Sequence, residues 1–333
     1  MKNIIYFFYY IKITNWKRLF FDVNYVINNK KKSRFALLID IIKCTFKYGS
    51  AFNEYFYYSF YEKSVSQRKE YASMGFMYEY QKKCNPPSQR EILANKILFF
   101  EKYKDYIGRN WLKIFESDLT HISAFLEGKE KIVLKGSKGG GGKNVLIVFL
   151  DNMSVENLAQ EAKKLNLDIL EEFVYQHPDM NRLAPNSLNT IRVITQYTPN
   201  KKVDIVGATL RMGIDKNTDN LSSGGLACGV NISTGKIDTD GISFDIGKTN
   251  LAQHPISGIT FIGFQIPYWK EILNLCKKIA FNNSENTSVG WDIAIKKEGP
   301  IVIEGNHDWG ARVWQMPYNR GFKYKLLKYK IMD

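Results

Sequence analysis

Cysteine is scarce in this chain: Cys44, Cys84, Cys228 and Cys276 are the only four in 333 residues. They stand far apart, and no two have the CxxC spacing of a zinc knuckle or the density of a disulfide framework. Reduced thiols in a core are expected. Histidine is equally rare, with four residues. No Ser–His–Asp or Cys–His nucleophile arrangement can be assembled from spacing. Long apolar runs are missing as well. The stretch Ile4 to Ile11 falls far short of the ~20 residues that span a bilayer. Lys12, Lys17 and Arg18 follow it, where a cleaved leader would carry small residues. A cytoplasmic protein is expected, resting at most on the inner membrane face.

Acidic residues are in deficit: 33 against 47 Lys and Arg, a formal net charge of +14. The imbalance is local. Residues 1–90 hold sixteen basic and six acidic residues, or +10, and 23 of the 47 aromatic rings. Three readings fit. Rings and lysines suit an anionic membrane surface. They also suit nucleic acid, although no recognition motif is visible and this ranks lowest. A helical region with a solvated basic face is the plain alternative.

At 44% hydrophobic, the chain can bury a sizeable core, and its length favours two or three lobes. Residues 1–90 read as mostly helical. CNPPSQR (84–90) breaks that pattern, with Ser88 able to cap the next helix, and sets a boundary. EILANKILFFEKYKDYIG (91–108) repeats apolar residues at helical spacing. KIVLK (131–135), VLIVFL (145–150) and DILEEFVYQ (168–176) read as strands, with a Ser154-capped helix over 155–166. NTIRVITQYT (189–198), KVDIVGATLRMG (202–213), GWDIAIK (290–296) and PIVIEGN (300–306) are further strands, with one helix over 268–281. Strands following strands argue for α+β lobes, and against a continuous parallel βαβ wind. The expected division is 1–90, 91–170 and 171–333.

KGSKGGGGKNV (135–145) poses the main question. A Walker A loop would need glycine where Ser137 stands and a hydroxyl where Asn144 stands. It would also open a helix, whereas VLIVFL follows here. What remains is a glycine hairpin. It is either a cradle whose amides close on phosphate, with Lys135 and Lys143 beside it, or a plain tip.

GWDIAIKKEGPIVIEGN (290–306) reads as a hairpin turning at KKEG, with Gly299 suited to positive φ. Glu304 and Asn306 share a face, being two residues apart on a strand. Asp292 comes alongside. Such an oxygen-only cluster suits Mg²⁺; a polar outer face is the alternative.

These motifs, taken in order, resemble the ATP-grasp superfamily, and most closely its sugar-transfer-associated branch, found with genes for cell-surface polysaccharides. The resemblance covers about residues 90–318. It rests on the glycine loop, LEEFVYQHP, NSLNTIRVIT, LRMG with DNLSSGG, HPISG and GWDIAI…GPIVIEGN. It implies an ATP-grasp fold in which two α+β lobes grip ATP. It implies that Lys135 contacts phosphates and that Gly139, Gly140, Gly141 and Gly142 cover them. It implies that Glu171, Glu172, Phe173 and Val174 form the linker reading adenine, with Glu172 as the contact and Gln176 facing ribose. Arg192 would hold the transferring phosphoryl group or the acceptor. Arg211, Asn220 and His254 lie near acceptor positions, and Asp292, Glu304 and Asn306 match the Mg²⁺ set. The implied activity is a carboxylate–amine or carboxylate–thiol ligase, its partners a sugar-linked or small carboxylate and an amine. Two other readings stand beside it. One is a phosphotransferase on a sugar or lipid-linked sugar. The other is a non-catalytic protein docking through residues 1–90 on a membrane or on glycan-assembly enzymes.

Overall fold

The computed structural model describes residues 2–139, 144–214, 221 and 224–331. Among them, two antiparallel sheets carry the fold. The first has the order β1-β4-β2-β3, from β1 (Trp111–Lys113), β2 (Lys131–Lys135), β3 (Val145–Phe149) and β4 (Ile169–Glu172). The second has the order β7-β6-β5-β8-β9, from β5 (Thr190–Tyr197), β6 (Val203–Met212), β7 (Leu226–Gly229), β8 (Ser288–Lys296) and β9 (Gly299–Asn306).

Alternation explains the first sheet. In β2, Ile132 and Leu134 are buried, while Lys131, Val133 and Lys135 on the other face are half-buried. The buried face packs on helices Leu119–Leu126 and Val155–Leu165, against Ile122, Leu158 and Ala162. The second of these helices starts where Ser154 Oγ accepts from the Asn157 amide at 3.2 Å. It ends on Asn166, which adopts the left-handed conformation.

β8 is different: every residue from Ser288 to Ile295 is buried. It is covered on both sides. Helix Trp269–Phe281 packs Ile272, Cys276 and Ile279 on one face, against Val193, Leu210 and Ile293. The C-terminal segment packs Trp309 and Trp314 on the other, against Ile194 and Val206. The β8–β9 turn falls at the expected KKEG, with Gly299 at φ +137°.

The N-terminal part is helical as expected. It comprises α1 (Lys2–Ile13), α2 (Trp16–Lys30), α3 (Arg34–Tyr48) and shorter helices up to Met74–Cys84. It does not end at a break near residue 90. Ala72, Met77, Tyr80 and Cys84 share a core with Ile194, Val206 and Trp314. The Asn85 side chain donates to the carbonyls of Ser288 and His307 at 2.9 and 2.7 Å. Segment 91–108 also departs from the expected division. Its apolar residues Leu93, Phe99, Phe100, Tyr103 and Ile107 belong to the core of the second sheet. The β1–β4 sheet, residues 111–172, packs a core of its own with helices Leu119–Leu126 and Val155–Leu165. The single long helix expected over 91–108 is three short ones, Pro87–Ala94, Lys96–Lys102 and Lys104–Ile107. Asn95 breaks it, because its side chain accepts from the Ile97 amide at 2.9 Å and restarts the helix. Ser88 makes no cap; the helix opens on Pro87.

Candidate active site

A β-bulge builds the acidic cluster. Counting back from the turn, Lys296 opposes Gly299 and Ile293 opposes Val302. Regular pairing would then set Asp292 against Ile303 and turn Glu304 to the opposite face. The register shifts between Asp292 and Ile293, and Asp292 opposes Glu304. Directly opposed residues share a face. On β5, Arg192 opposes Asp292, and Thr209 of β6 opposes Arg192. One row across the sheet thus reads Thr209, Arg192, Asp292, Glu304.

Asp292 is almost wholly buried, at 1% exposure. Arg192 grips it through Nε and through Nη2, the latter at 2.8 Å. Arg211 Nη2 reaches the same carboxylate at 2.7 Å and the Thr190 hydroxyl at 2.7 Å. Burial would push the Asp292 carboxyl up, but Arg192 and Arg211 together hold it well below the usual range. Glu304 moves the other way. Burial raises it, and so does Asp292 beside it, close enough to share a hydrogen bond. Asn306 Nδ2 donates to Glu304 Oε1 at 3.2 Å. Arg192 Nη1 has no partner among the described residues.

A second cluster sits at the junction of the lobes. Lys135 Nζ lies 3.0 Å from Glu171 Oε2, and Arg109 Nε lies 2.7 Å from the same oxygen. Arg109 also donates to the Val302 carbonyl of β9 at 2.9 Å, so it ties one sheet to the other. Burial opposes ionisation of Glu171, yet Arg109 and Lys135 keep its pKa low. Glu171 Oε1 and Arg109 Nη2 are buried without a hydrogen-bond partner.

Lys96 joins the two clusters. Its ammonium donates to the carbonyls of Gly136 and Gly139, at 3.0 and 2.8 Å, so it clasps the leg of the glycine loop. Burial lowers its pKa, Glu304 pulls it back up, and Lys135 lowers it again. Lys96 therefore feels both the acidic row and Lys135. Sequence reasoning missed Lys96 and Arg109. Each is an isolated cation in an unremarkable stretch, and only packing brings it in.

Other residues singled out in the sequence have partners of their own. Glu172 gives its backbone amide to the Asn110 carbonyl at 3.0 Å. Its carboxylate accepts from the Asn110 amide and side chain at 2.9 and 2.8 Å. The backbone amides of Phe173, Val174 and Tyr175 have no partner among the described residues. β4 ends at Glu172, so 168–176 is a short strand followed by a linker. Gln176 does not project freely. Its amide donates to the carbonyls of Ala184 and Ser187 and accepts from Asn189, so it fastens the following segment. His254 is fully buried, with Nε2 3.0 Å from the Gly213 carbonyl, and acts as a loop brace. His177 caps helix Pro178–Leu183. Gly139 is described, at φ +96°. Gly140, Gly141, Gly142, Lys143 and Asn220 lie outside the described residues.

The residues present fit a Mg²⁺–nucleotide. Lys96, on the carbonyls of Gly136 and Gly139, and Lys135 come together at one end. Val174, Leu188, Ala294, Ile301 and Ile303 form an apolar patch beside the open linker amides. Buried Glu171 Oε1 is left unpartnered, and a close carboxylate pair with an amide supplies hard oxygen donors.

Fold and site together define a two-lobed nucleotide-gripping protein. Residues 76–330 match the family described as sugar-transfer associated ATP-grasp, and the chain belongs to it. That span begins inside helix Met74–Cys84, the first helix that shares the core of the second sheet. Among solved structures, the chain is similar to the ATP-grasp ligase PsnB, solved with a phosphomimetic variant of a minimal precursor, Mg and ADP. The identity is 11%, covering 77% of this chain and 67% of that one, at TM-score 0.44. It is also similar to D-alanyl-alanine synthetase A of Vibrio cholerae, with 11% identity, 73% and 66% coverage and TM-score 0.45. N5-carboxyaminoimidazole ribonucleotide synthetase of Thermotoga maritima has 14% identity, 66% and 43% coverage and TM-score 0.39. Among curated proteins, none matches.

Proposed function

We propose that this protein is an ATP-dependent carboxylate–amine ligase, with a thiol as the other candidate nucleophile. It would act in the cytoplasm on a sugar or precursor of a cell-surface polysaccharide. The observation that carries this reading is the row on the second sheet. Arg192 and Arg211 converge on Asp292, with Glu304 and Asn306 beside it.

In this reading Phe173, Val174 and Tyr175 offer backbone groups to the adenine edge. Lys135 and Lys96 meet the phosphates, and Gly139 to Gly142 cover them. Mg²⁺, held by Glu304 and Asn306 beside Asp292, would supply charge neutralisation at the phosphates. Arg192, through its open Nη1, orients the acceptor carboxylate in line with the γ-phosphorus. The carboxylate oxygen bonds to phosphorus, the bond to the β–γ bridging oxygen breaks, and ADP leaves. The amine nitrogen then attacks the acyl carbon, phosphate departs and the amine loses a proton. Asp292 keeps both guanidinium groups fixed throughout, which is the electrostatic preorganisation such a transfer requires.

The test is ADP release from MgATP with a panel of uronic acids and amino acids, with hydroxylamine added to trap an acyl phosphate as a hydroxamate. Carboxylate-dependent ADP together with hydroxamate supports the ligase. ADP without a carboxylate requirement, together with a phosphorylated hydroxyl product, replaces it with a phosphotransferase.

A further inference from the structure

We propose that the outer face of α1, α2 and α3 is a docking surface for an anionic phospholipid bilayer. The first observation is apolar exposure. Phe35 is 75% exposed, Ile5 68%, Phe8 65% and Phe20 61%. Ile4, Tyr9, Ile13, Trp16, Leu38 and Ile42 are exposed with them. Isolated exposed apolar residues are ordinary, but this is a group on three adjacent helices.

Ring contacts link the three helices. Phe8 meets Phe7 at 5.8 Å, and Phe7 meets Phe46 of α3 at 5.4 Å. Phe7 also meets Phe52 at 5.7 Å. Phe52 meets Trp16 at 6.2 Å, and Trp16 meets Phe20 at 6.2 Å. Phe8 of α1, Trp16 and Phe20 of α2 and Phe46 of α3 are thus linked through Phe7 and Phe52.

Charge selects the occupant. Residues 2–48 contain only two acids, Asp22 and Asp40. Neither opposes the surface cations: Asp22 is buried beside Arg18, and Asp40 is paired with Arg68 at 2.8 Å. Lys2, Lys12, Lys17, Lys30, Lys31, Lys32, Arg34, Lys43 and Lys47 are all exposed. Of these, Lys2 and Lys30 have acidic partners, Glu79 and Glu62. A second copy of the chain would bring two such cationic rims together and be repelled. A bilayer with anionic headgroups accepts both features: rings enter the headgroup–acyl boundary while lysines meet phosphates. No helix among the described residues is long and apolar enough to cross a membrane, so the contact is interfacial.

The inner side of α2 is fixed to the core. Arg18 of α2 donates to the Phe244 carbonyl at 3.2 Å and pairs with Asp245 at 3.0 Å. Docking would therefore hold the whole molecule at the membrane.

The experiment is co-sedimentation of the full chain with vesicles of phosphatidylcholine alone, or mixed with phosphatidylglycerol, across a salt series. Wild type is expected to pellet with the mixed vesicles and to be released by salt. Phe8→Ser and Phe35→Ser change exposed side chains and should fold; each is expected to weaken partitioning by about tenfold or more. Lys31→Gln and Lys32→Gln should each weaken it by about fivefold. Equal sedimentation of all variants overturns the proposal, as does no preference for anionic vesicles. Sedimentation velocity and a duplex oligonucleotide complete the set. Self-association, or oligonucleotide binding, that the same variants abolish while vesicles fail to pellet the protein would assign the surface to a protein or nucleic-acid partner instead.

Discussion

Two carboxylates in one site are expected to respond to neutralisation with opposite signs. Asp292 is buried and held by two guanidinium groups; Glu304, next to it, is raised by burial and by Asp292 itself. In Asp292→Asn, Arg192 and Arg211 lose their counter-charge while remaining mostly covered. Removing one partner of a buried ion pair costs about 3–5 kcal/mol, so a loss of that order is expected at neutral pH. The pH dependence follows from the depressed pKa. Asp292's contribution is fully present above the ordinary aspartate value of about 3.9 and is lost as pH falls below it. The gap between wild type and Asp292→Asn should therefore be constant near neutrality and narrow in acid. Glu304→Gln should do the reverse. A carboxyl with a raised pKa stabilises the fold below its ordinary value and loses that contribution as pH rises through the raised one. Without ligand, the glutamine variant should match or exceed wild type at neutral pH, yet fail to gain stability from MgATP. Urea denaturation followed by tryptophan fluorescence reads both, since Trp291 and Trp309 are buried close by. Equal destabilisation by the two substitutions at pH 7 would refute the electrostatic account. So would an Asp292→Asn deficit that persists unchanged in acid.

Four further outcomes are expected. A Cβ on Gly290 would lie 2.7 Å from Trp309 Cβ and 2.8 Å from Arg192 Cδ. Gly290→Ala should cost about 1–3 kcal/mol by overpacking and, by shifting Arg192, lower kcat about a hundredfold with KM for ATP little changed. Glu171→Gln leaves buried Arg109 without its carboxylate; it should destabilise by on the order of 3 kcal/mol in a melt and raise KM for ATP. Gln176→Leu removes several hydrogen bonds around Asn189 and should cost about 2–3 kcal/mol, with KM for ATP unchanged; a raised KM at full stability would restore it as a ribose contact. Lys96→Met should weaken MgATP about tenfold in calorimetry, and limited proteolysis near Gly136 should speed up as the clasp on the loop is lost.

Most of the second sheet was legible because its strands are long, apolar and β-branched. β5, β6, β8 and β9 fall within a residue or two of where periodicity sets them. Helix Val155–Leu165 was legible through its apolar spacing and its Ser154 cap. Segment 91–108 was less so, because the side chain of Asn95 interrupts a pattern that apolar spacing alone would continue. The family motifs led to Lys135, Arg192 and the acidic set. At Gln176 and His254 they gave no hint of the bonds these side chains make to backbone carbonyls.

The sequence by itself determined that Glu304 and Asn306 face one way, because period-two alternation is a property of a single strand. It also determined the β8–β9 turn at Gly299 and the positive charge of the first helices. It set Asp292 alongside Glu304 through the hairpin, but not the register that makes the two directly opposed. That register depends on one extra residue, Ile303, between Val302 and Glu304 on β9. Nor could the sequence bring Lys96 and Arg109 to the site, or set Arg211 on the Asp292 carboxylate. They come from the start of helix Lys96–Lys102, from the approach to β1 and from β6, and only tertiary packing sets their distances. Local geometry fixes which way a side chain points along a strand; the register between strands is a balance of burial over the whole sheet, and the site is assembled by that balance.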